Sequence, residues 1–160
     1  EDMLSNDLAI NDVDKLKGSL LGSKKVLYLA DNAGETVFDR ILIEELLRQN
    51  VEVIYAVKDA PILNDATFQD AEIAGITNIA NVISIGADCT GVLFRECSSE
   101  FLEEFETSSL VISKGQGNYE SLNDIQHKEM FFLMKVKCPI IAEDVGVETG
   151  SAILKRTCLR

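Results

Sequence analysis

Four polar segments of the sequence carry residue types that could do chemistry, and each directly follows an apolar run of strand length. They offer carboxylates, amides, glycines and lysines, in segments 31–35, 58–65, 87–91 and 114–118. Ligands of an open parallel α/β sheet bind outside the carboxyl ends of its strands. We therefore expect the four segments to meet at one edge of a sheet and to form a single site there.

The first segment offers two oxygen ligands in a row, Asp31 and Asn32, and the second ends with the carboxylate of Asp65. Carboxylate and amide oxygens are the ligands that hard divalent cations such as Mg²⁺ and Mn²⁺ prefer. Each of these side chains could instead cap the helix that follows it. The residues alone leave metal binding and helix capping open as interpretations.

The fourth segment, 114–118, combines a lysine, two glycines and an asparagine. A lysine can hold an oxyanion, and glycines expose backbone N–H groups to a ligand. The segment is therefore either an anion site or a glycine-rich turn with a surface lysine. Walker A, GxSxG and HExxH patterns are absent from the chain.

Three acidic residues near these segments have two interpretations each. Asp88, at the third strand end, could bind metal-bound water or substrate hydroxyls, or it could cap a helix. Glu35 and Asp39 lie one turn apart on a predicted helix. They belong either to a solvated helix face or to a group of residues that orients the metal ligands without binding the metal.

The elements that must position these residues alternate along the chain. Apolar, β-branched runs predict strands over 25–30, 51–58, 81–86, 110–114 and 139–142. Amphipathic spacing predicts helices over 35–49, 67–74, 92–105 and 128–137, and an earlier helix from an Asn11 cap through Leu21. This alternation predicts a three-layer α/β/α fold with a mostly parallel, Rossmann-like sheet of about five to six strands.

The composition limits the classes of partner. With 15 basic and 27 acidic residues, the net charge of −12 argues against nucleic acid and anionic membranes and favours a small ligand. No apolar stretch approaches the roughly 20 residues that span a bilayer, and the four cysteines form no CxxC pair. We expect a cytoplasmic protein with reduced thiols. If the ligand is a phosphate ester, a cation or a lysine must reverse the local field.

Three motifs together resemble the damage-control phosphatase family, also called acidic-residue-methyltransferase-like and formerly a domain of unknown function, in its shorter prokaryotic branch. The resemblance covers about 25–150, and the motifs are Asp-Asn-Ala-Gly-Glu at 31–35 with Phe38-Asp39, Pro-Ile-Leu-Asn-Asp-Ala at 61–66, and Ser-Lys-Gly-Gln-Gly-Asn-Tyr-Glu at 113–120. Members typically carry a helical N-terminal region. The resemblance therefore implies a remnant of that region at 1–24, with the rest missing, and a metal-binding α/β phosphatase domain at 25–160.

The resemblance also implies a site. It assigns the metal to Asp31, Asn32 and Asp65, and it assigns the phosphate to the motif Lys114, Gly115, Gln116, Gly117 and Asn118. The cation would be Mn²⁺, Mg²⁺, Co²⁺ or Ni²⁺, since residue type does not choose among them. The expected reaction is hydrolysis of a small phosphorylated metabolite, such as a sugar phosphate, in which Lys114 stabilises charge and Asp65 or Asp88 accepts the proton of water.

Two alternative functions remain open at this point. An S-adenosylmethionine-dependent carboxyl methyltransferase would need a glycine-rich loop after the first strand and an acidic residue closing the second. Here the first loop has one glycine, Gly34, and the second strand ends at Lys58. The other alternative is a non-catalytic module that binds a phosphorylated metabolite.

Overall fold

The computed structural model describes residues 8–157. In these residues seven strands form one sheet: β1 (Ile10–Asn11), β2 (Lys25–Leu29), β3 (Glu52–Val57), β4 (Asn81–Ser84), β5 (Leu110–Lys114), β6 (Met130–Lys135) and β7 (Ala152–Arg156). The strand order is β1-β7-β6-β5-β2-β3-β4, and every neighbouring pair is parallel except β6 and β7. The sheet is thus mostly parallel, as predicted, but it contains the unpredicted strands β1, β6 and β7.

Six α-helices cover the two faces of this sheet. They are α1 (Val13–Leu20), α2 (Thr36–Arg48), α3 (Phe68–Ile73), α4 (Ser99–Thr107), α5 (Gln116–Leu122) and α6 (Pro139–Val145). Residues of the central strands alternate between two buried clusters, because neighbouring side chains of a strand point to opposite faces. One cluster joins the strands to α1, α2 and α3 and includes Leu16, Tyr28, Ile43, Tyr55 and Ala71. The other joins them to α4, α5 and α6 and includes Leu27, Ile54, Phe101, Leu122 and Ile141. The predicted three-layer architecture is therefore confirmed.

Residues 10–20, which precede β2, are part of the same sheet and core. Strand β1 pairs with β7 at the edge of the sheet, and α1 buries Leu16 and Leu20. The helix begins at Val13 after Asp12, while the side chain of Asn11 accepts a hydrogen bond from the Val13 N–H at 3.2 Å. No helix among residues 8–157 is long and apolar enough to cross a membrane.

Two predicted elements are wrong. The segment predicted as a helix over 128–137 contains strand β6, which is buried between β5 and β7. The segment predicted as a strand over 139–142 begins helix α6, which starts at Pro139 and ends at Val145. The next residue, Gly146, has a left-handed backbone conformation. Proline suits the first turn of a helix because the N–H that it lacks would have no intrahelical acceptor there, and glycine suits the position after the last turn.

Two further segments differ from the predicted helices. The predicted helix 92–105 is interrupted, because Ser98 caps α4 by accepting a hydrogen bond from the Phe101 N–H at 3.1 Å. A short 3-10 helix, Phe94–Glu96, precedes that cap. Helix α5 was not predicted, and it begins directly after β5. The chain therefore passes from strand to helix within the motif that begins at Lys114.

The parallel register places the ends of four strands side by side. Leu29 of β2 lies opposite Ala56 of β3 and Ser113 of β5. Val57 lies opposite Ser84 of β4 in the same way. The segments that follow these strands consequently leave the sheet on the same side, at the carboxyl ends of the strands, as the sequence predicts. We call this side the sheet edge.

Candidate active site

The loops after β2 and β3 are joined in a small ladder beyond the sheet edge. Asn32 and Asp65 form an isolated antiparallel bridge. The Ala33 N–H donates to the Asn64 carbonyl at 2.8 Å, and the Ala66 N–H donates to the Asp31 carbonyl at 2.8 Å. The ladder brings the backbones of Asp31, Asn32 and Asp65 together.

The loop after β5 touches the same group. Gly115 has φ +81°, and a Cβ atom placed on it would overlap the carboxyl group of Asp31. Only glycine can therefore occupy this position without moving Asp31. The contact brings the glycine-rich motif directly against the first of the proposed metal ligands.

The side chains of the three proposed ligands do not cap helices. Asn32 precedes the 3-10 helix Ala33–Glu35 without a side-chain capping bond. Helix α3 is capped by Thr67, whose N–H and hydroxyl donate to Asp70 at 2.8 and 2.6 Å. The capping interpretation of Asn32 and Asp65 is therefore not what the structure shows.

The amide of Asn32 links the acidic groups of the site. Its Nδ2 donates to Asp31 Oδ2 at 2.8 Å and to Glu35 Oε1 at 2.6 Å, and its Oδ1 accepts from Asn64 Nδ2. Burial raises the pKa of Asp31, and the negative charges of Glu35 and Asp65 raise it further. Burial also raises the pKa of Asp65. Crowded, half-buried carboxylates of this kind are stabilised when a cation binds between them.

The donor set suits a hard divalent cation. It consists of two carboxylates and one amide, and residues 8–157 contain no group of three or more His, Cys, Asp or Glu side chains placed to hold a metal. Mg²⁺ and Mn²⁺ are commonly held by one or two carboxylates and keep several coordination positions for water or substrate. The residue types of Asp31, Asn32 and Asp65 are therefore those that such an ion prefers.

Lys114 points toward α2 and is held there by two carboxylates. Its Nζ donates to Glu35 Oε2 at 2.7 Å and to Asp39 Oδ1 at 2.8 Å. Burial alone would lower the pKa of Lys114, but the charges and hydrogen bonds of Asp39 and Glu35 outweigh it and raise the pKa. An ammonium group has three N–H donors, so one donor is left for a ligand.

Asp39 is a member of the site that the sequence left ambiguous. It is 2% exposed, and its oxygens also accept hydrogen bonds from Tyr28 at 2.7 Å and from Tyr55 at 2.8 Å. Asp39 is therefore not on a solvated face. Tyr28 and Tyr55 lie opposite each other in the register of β2 and β3. Two tyrosine hydroxyls on apolar strands were the signal in the sequence that a buried polar partner such as Asp39 was needed.

The amide side chains of the motif 114–118 tie loops together. Asn118 Nδ2 donates to the Ala30 carbonyl at 3.0 Å and to the Lys114 carbonyl at 2.8 Å. Gln116 Oε1 accepts from the Lys137 N–H at 2.7 Å. The N–H of Gly115 donates to the Leu133 carbonyl at 3.1 Å. These three groups hold the loop in place and are already occupied by protein partners.

Asp88 stands apart from these residues. It is exposed, and within the part of the chain that the structure describes its carboxylate makes no hydrogen bond or ion pair. Among the described residues, Asp88 is therefore not bonded to Asp31, Asn32 or Asp65.

Two lysines at the site have roles that sequence reasoning missed. Lys58, 3% exposed, donates to the Gly91 carbonyl at 2.5 Å and lies 3.8 Å from Asp65 Oδ2. Burial lowers its pKa, and Asp65 opposes that effect. Lys137 is exposed, and its charge acts to lower the pKa of Asp31, Glu35 and Asp65. The position of Lys58 directly after a strand could have indicated that it belongs to the site. Lys137 was not considered, because the segment 128–137 was wrongly predicted as a helix.

Residues 1–153 match the model of the damage-control phosphatase ARMT1-like domain. The chain belongs to this family. It is 46% identical to the uncharacterized protein MJ0202 of Methanocaldococcus jannaschii, over 96% of this chain and 52% of that protein. It is 41% identical to damage-control phosphatase PH1575 of Pyrococcus horikoshii, over 98% of this chain and 55% of that one. A damage-control phosphatase of Archaeoglobus fulgidus is 38% identical, over 92% and 51%.

A solved structure supports the membership in the ARMT1-like family. The crystal structure of the DUF89 family protein PH1575 superposes with a TM-score of 0.92 at 40% identity, over 98% of this chain and 55% of that chain. The resemblance drawn from the three motifs is thus confirmed, together with the α/β fold. The chain spans about half the length of the curated relatives it matches.

Proposed function

We propose that this chain contains the active site of a metal-dependent phosphatase that hydrolyses small phosphorylated metabolites. The observation that carries the proposal is the contact between the loops after β2, β3 and β5, in which Asp31 lies against Asn32, the Asn32–Asp65 bridge and Gly115. Two relatives that bear the name damage-control phosphatase support the same activity. A cytoplasmic location stays a prediction.

Asp31, Asn32 and Asp65 would hold the divalent cation, which we propose to be Mn²⁺, Mg²⁺, Co²⁺ or Ni²⁺. When bound, such a cation acts as a Lewis acid toward a phosphoryl oxygen and orients the ester beside it. Among the protein's own groups, Lys114 has one N–H donor left for a phosphate oxygen. Its burial beside Glu35 and Asp39 fixes the direction from which that donor approaches.

The remaining residues of the predicted phosphate site divide into two groups. Gly115, Gln116 and Asn118 use the polar groups described above to shape the loop, so their contribution to phosphate binding would be indirect. The backbone N–H of Gly117 and the exposed ammonium of Lys137 are the groups that we propose to face the phosphate. The charge of Lys137 lowers the pKa of the three carboxylates Asp31, Glu35 and Asp65, which supports a role for this lysine beside the residues that would hold the cation.

Proton transfer from the attacking water requires a base within reach of the phosphate. Both Asp65 and Asp88 were candidates for this role. Asp65 belongs to the ladder that contains Asp31 and Asn32, whereas Asp88 is exposed and does not touch that ladder. The geometry therefore supports Asp65 as the group that accepts the proton.

The test is a phosphatase screen over sugar phosphates and nucleotides with each of the four metals, on the wild type and on Asp31→Ala. We expect Asp31→Ala to lower turnover at least about 100-fold, because it removes one of only two carboxylate ligands. The matched control is Asp59→Ala. Asp59 follows β3 much as Asp31 follows β2, but its carboxylate accepts a hydrogen bond from Ser84 at 2.7 Å, outside the cluster. The turnover of Asp59→Ala should therefore equal that of the wild type.

Three outcomes would count against the proposal. Full turnover by Asp31→Ala would refute the assignment of the cation ligand. Absence of phosphate release by the wild type with all four metals would support the non-catalytic binding module. Binding of S-adenosylmethionine in calorimetry without metal would favour the methyltransferase.

A further inference from the structure

Asp39 is the centre of a buried polar group between α2 and the sheet. Its side chain is 1% exposed. Oδ1 accepts hydrogen bonds from the Tyr28 hydroxyl at 2.7 Å and the Lys114 ammonium at 2.8 Å, and Oδ2 accepts from the Tyr55 hydroxyl at 2.8 Å. Burial and the charge of Asp39 raise the pKa of both tyrosines, so they remain protonated donors.

From Lys114 the hydrogen bonds continue outward to the proposed metal ligands. Lys114 Nζ donates to Glu35 Oε2 at 2.7 Å, and Glu35 Oε1 accepts from Asn32 Nδ2 at 2.6 Å. The same Nδ2 donates to Asp31 Oδ2 at 2.8 Å. The exposed fraction rises along this chain, from 1% for the Asp39 side chain to 10% for Lys114 and 39% for Glu35. One unbroken series of hydrogen bonds therefore connects the core to the site.

This series fixes the orientation of the Asn32 amide. Both bonds of Nδ2 go to carboxylate oxygens, which accept but cannot donate. The nitrogen must therefore face Asp31 and Glu35, while the oxygen Oδ1 accepts a hydrogen bond from Asn64 Nδ2. An amide oxygen has a second lone pair, and it is this lone pair of Oδ1 that would ligate a cation. Glu35 can keep this direction only while Lys114 holds its other oxygen.

Stability alone is a poor explanation for the buried pair of Asp39 and Lys114. Removing two charges from water costs about as much as their attraction returns, so apolar side chains of similar size would often serve the fold equally well. Three donors on one carboxylate do, however, define the position of that carboxylate narrowly. The benefit of the arrangement is orientation, as in metal sites where outer groups align the ligands.

We propose that Asp39, held by Tyr28 and Tyr55, is a positioning residue: it fixes Lys114 and, through Glu35, the Asn32 amide at the cation site. The inference rests on the proposed phosphatase function and adds to it a residue that touches neither substrate nor cation. Asp39 lies on the core side of α2 and acts on Asn32 through the side chains of Lys114 and Glu35.

The first test replaces Asp39 by asparagine, which keeps the size of the side chain but removes its charge. We expect Asp39→Asn to weaken Mn²⁺ binding about tenfold and to lower kcat about 10- to 100-fold, with a smaller change in KM. Mn²⁺ binding is measured by the electron paramagnetic resonance signal of free Mn²⁺, independently of turnover. Thermal unfolding monitored by circular dichroism shows whether the variant is folded.

Glu104→Gln is the matched control. Glu104 accepts a hydrogen bond from Lys25 at 2.5 Å, at the opposite end of β2 from the site. The substitution makes the same change from carboxylate to amide in a lysine pair, so it should leave Mn²⁺ binding and kcat unaltered.

A double-mutant cycle separates positioning from a general structural effect. If Asp39 acts through Lys114, adding Asp39→Asn to Lys114→Met should cause no further loss of kcat, because residues of one network are not additive. Additive losses would show that Asp39 acts by another route. If Asp39→Asn does not fold, Tyr55→Phe provides the test, with an expected loss of Mn²⁺ affinity of about two- to tenfold from one missing hydrogen bond.

The outcomes distinguish this inference from the proposed function. A wild type that binds Mn²⁺ but releases no phosphate would overturn the phosphatase, while weaker Mn²⁺ binding by Asp39→Asn would still support positioning. A folded Asp39→Asn with the Mn²⁺ affinity and kcat of an active wild type would overturn positioning and leave the phosphatase intact. A wild type that binds none of Mn²⁺, Mg²⁺, Co²⁺ and Ni²⁺ would overturn both.

Discussion

The contact between Gly115 and Asp31 leads to a sharp prediction for Gly115→Ala. A Cβ atom at this position would lie far closer to the Asp31 carboxyl group than the 3.0 Å that real Cβ atoms keep from their neighbours. Asp31 or the connection between β5 and α5 must therefore move, by a distance on the order of 1 Å. A misplacement of that size at a reacting centre costs about 100-fold in rate.

The substitution also has a cost in stability. Gly115 has φ +81° and ψ 157°, a region that is essentially restricted to glycine, and a side chain there costs about 1–3 kcal/mol. For a domain of this size each kcal/mol corresponds to about 2–4 °C, so the melting temperature should fall by about 2–12 °C. The variant should thus remain folded at room temperature while its site is displaced.

The assay compares Mn²⁺ affinity, phosphate release and thermal unfolding of Gly115→Ala with those of Gly34→Ala. Gly34 lies in the loop after β2, three residues from Asp31, but a Cβ atom there meets nothing within 4 Å. Gly34→Ala should therefore behave as the wild type. If Gly115→Ala binds Mn²⁺ and releases phosphate as well as Gly34→Ala does, the contact with Asp31 does not define the site and the reasoning is refuted.

Two lysines give further predictions. Lys58→Met should lower the free energy of unfolding of the metal-free protein by about 1.5–3 kcal/mol in urea denaturation, because the Gly91 carbonyl and Asp65 lose a charged partner; an unchanged value would contradict this. Lys137→Ala should raise KM for an anionic phosphate ester several-fold, more at low than at high salt, without a change in melting temperature. Lys135→Ala, which removes an exposed lysine from the end of β6, is its control, and equal effects of the two variants would exclude a specific role for Lys137.

The central sheet was predictable because its strands have an unambiguous pattern. Strands β2, β3 and β5 are continuous apolar runs and lie between two helical layers, so neither face needs polar residues. β6 is equally apolar and was nevertheless assigned to a helix. Its pairing with β5 and β7 decides its conformation, and the sequence does not show that pairing. For α6, Pro139 and Gly146 were correct signals of a helix start and end that the predicted strand overlooked.

The candidate site was predictable to the extent that it depends on strand ends. Asp31, Asn32 and Asp65 follow β2 and β3, and the parallel register brings such positions together. The direction of each side chain was not predictable. Lys114 turns toward α2 because Asp39 is buried there, and this contact joins residues 75 positions apart. Asp88 lies in the loop after β4, as Asp31 lies in the loop after β2, yet its side chain is exposed.

The charges at the sheet edge explain how an acidic protein could select a phosphate ester. Four carboxylates, from Asp31, Glu35, Asp39 and Asp65, interact there with the ammonium groups of Lys58, Lys114 and Lys137, which gives a formal charge of −1. One divalent cation would change this value to +1, in a protein whose net charge is −12. The lysines alone do not reverse the sign of the field, because Asp39 and Asp65 neutralise two of them. If the proposed site is correct, anion binding there would depend on the cation, and the lysines would determine where around it the phosphate oxygens lie.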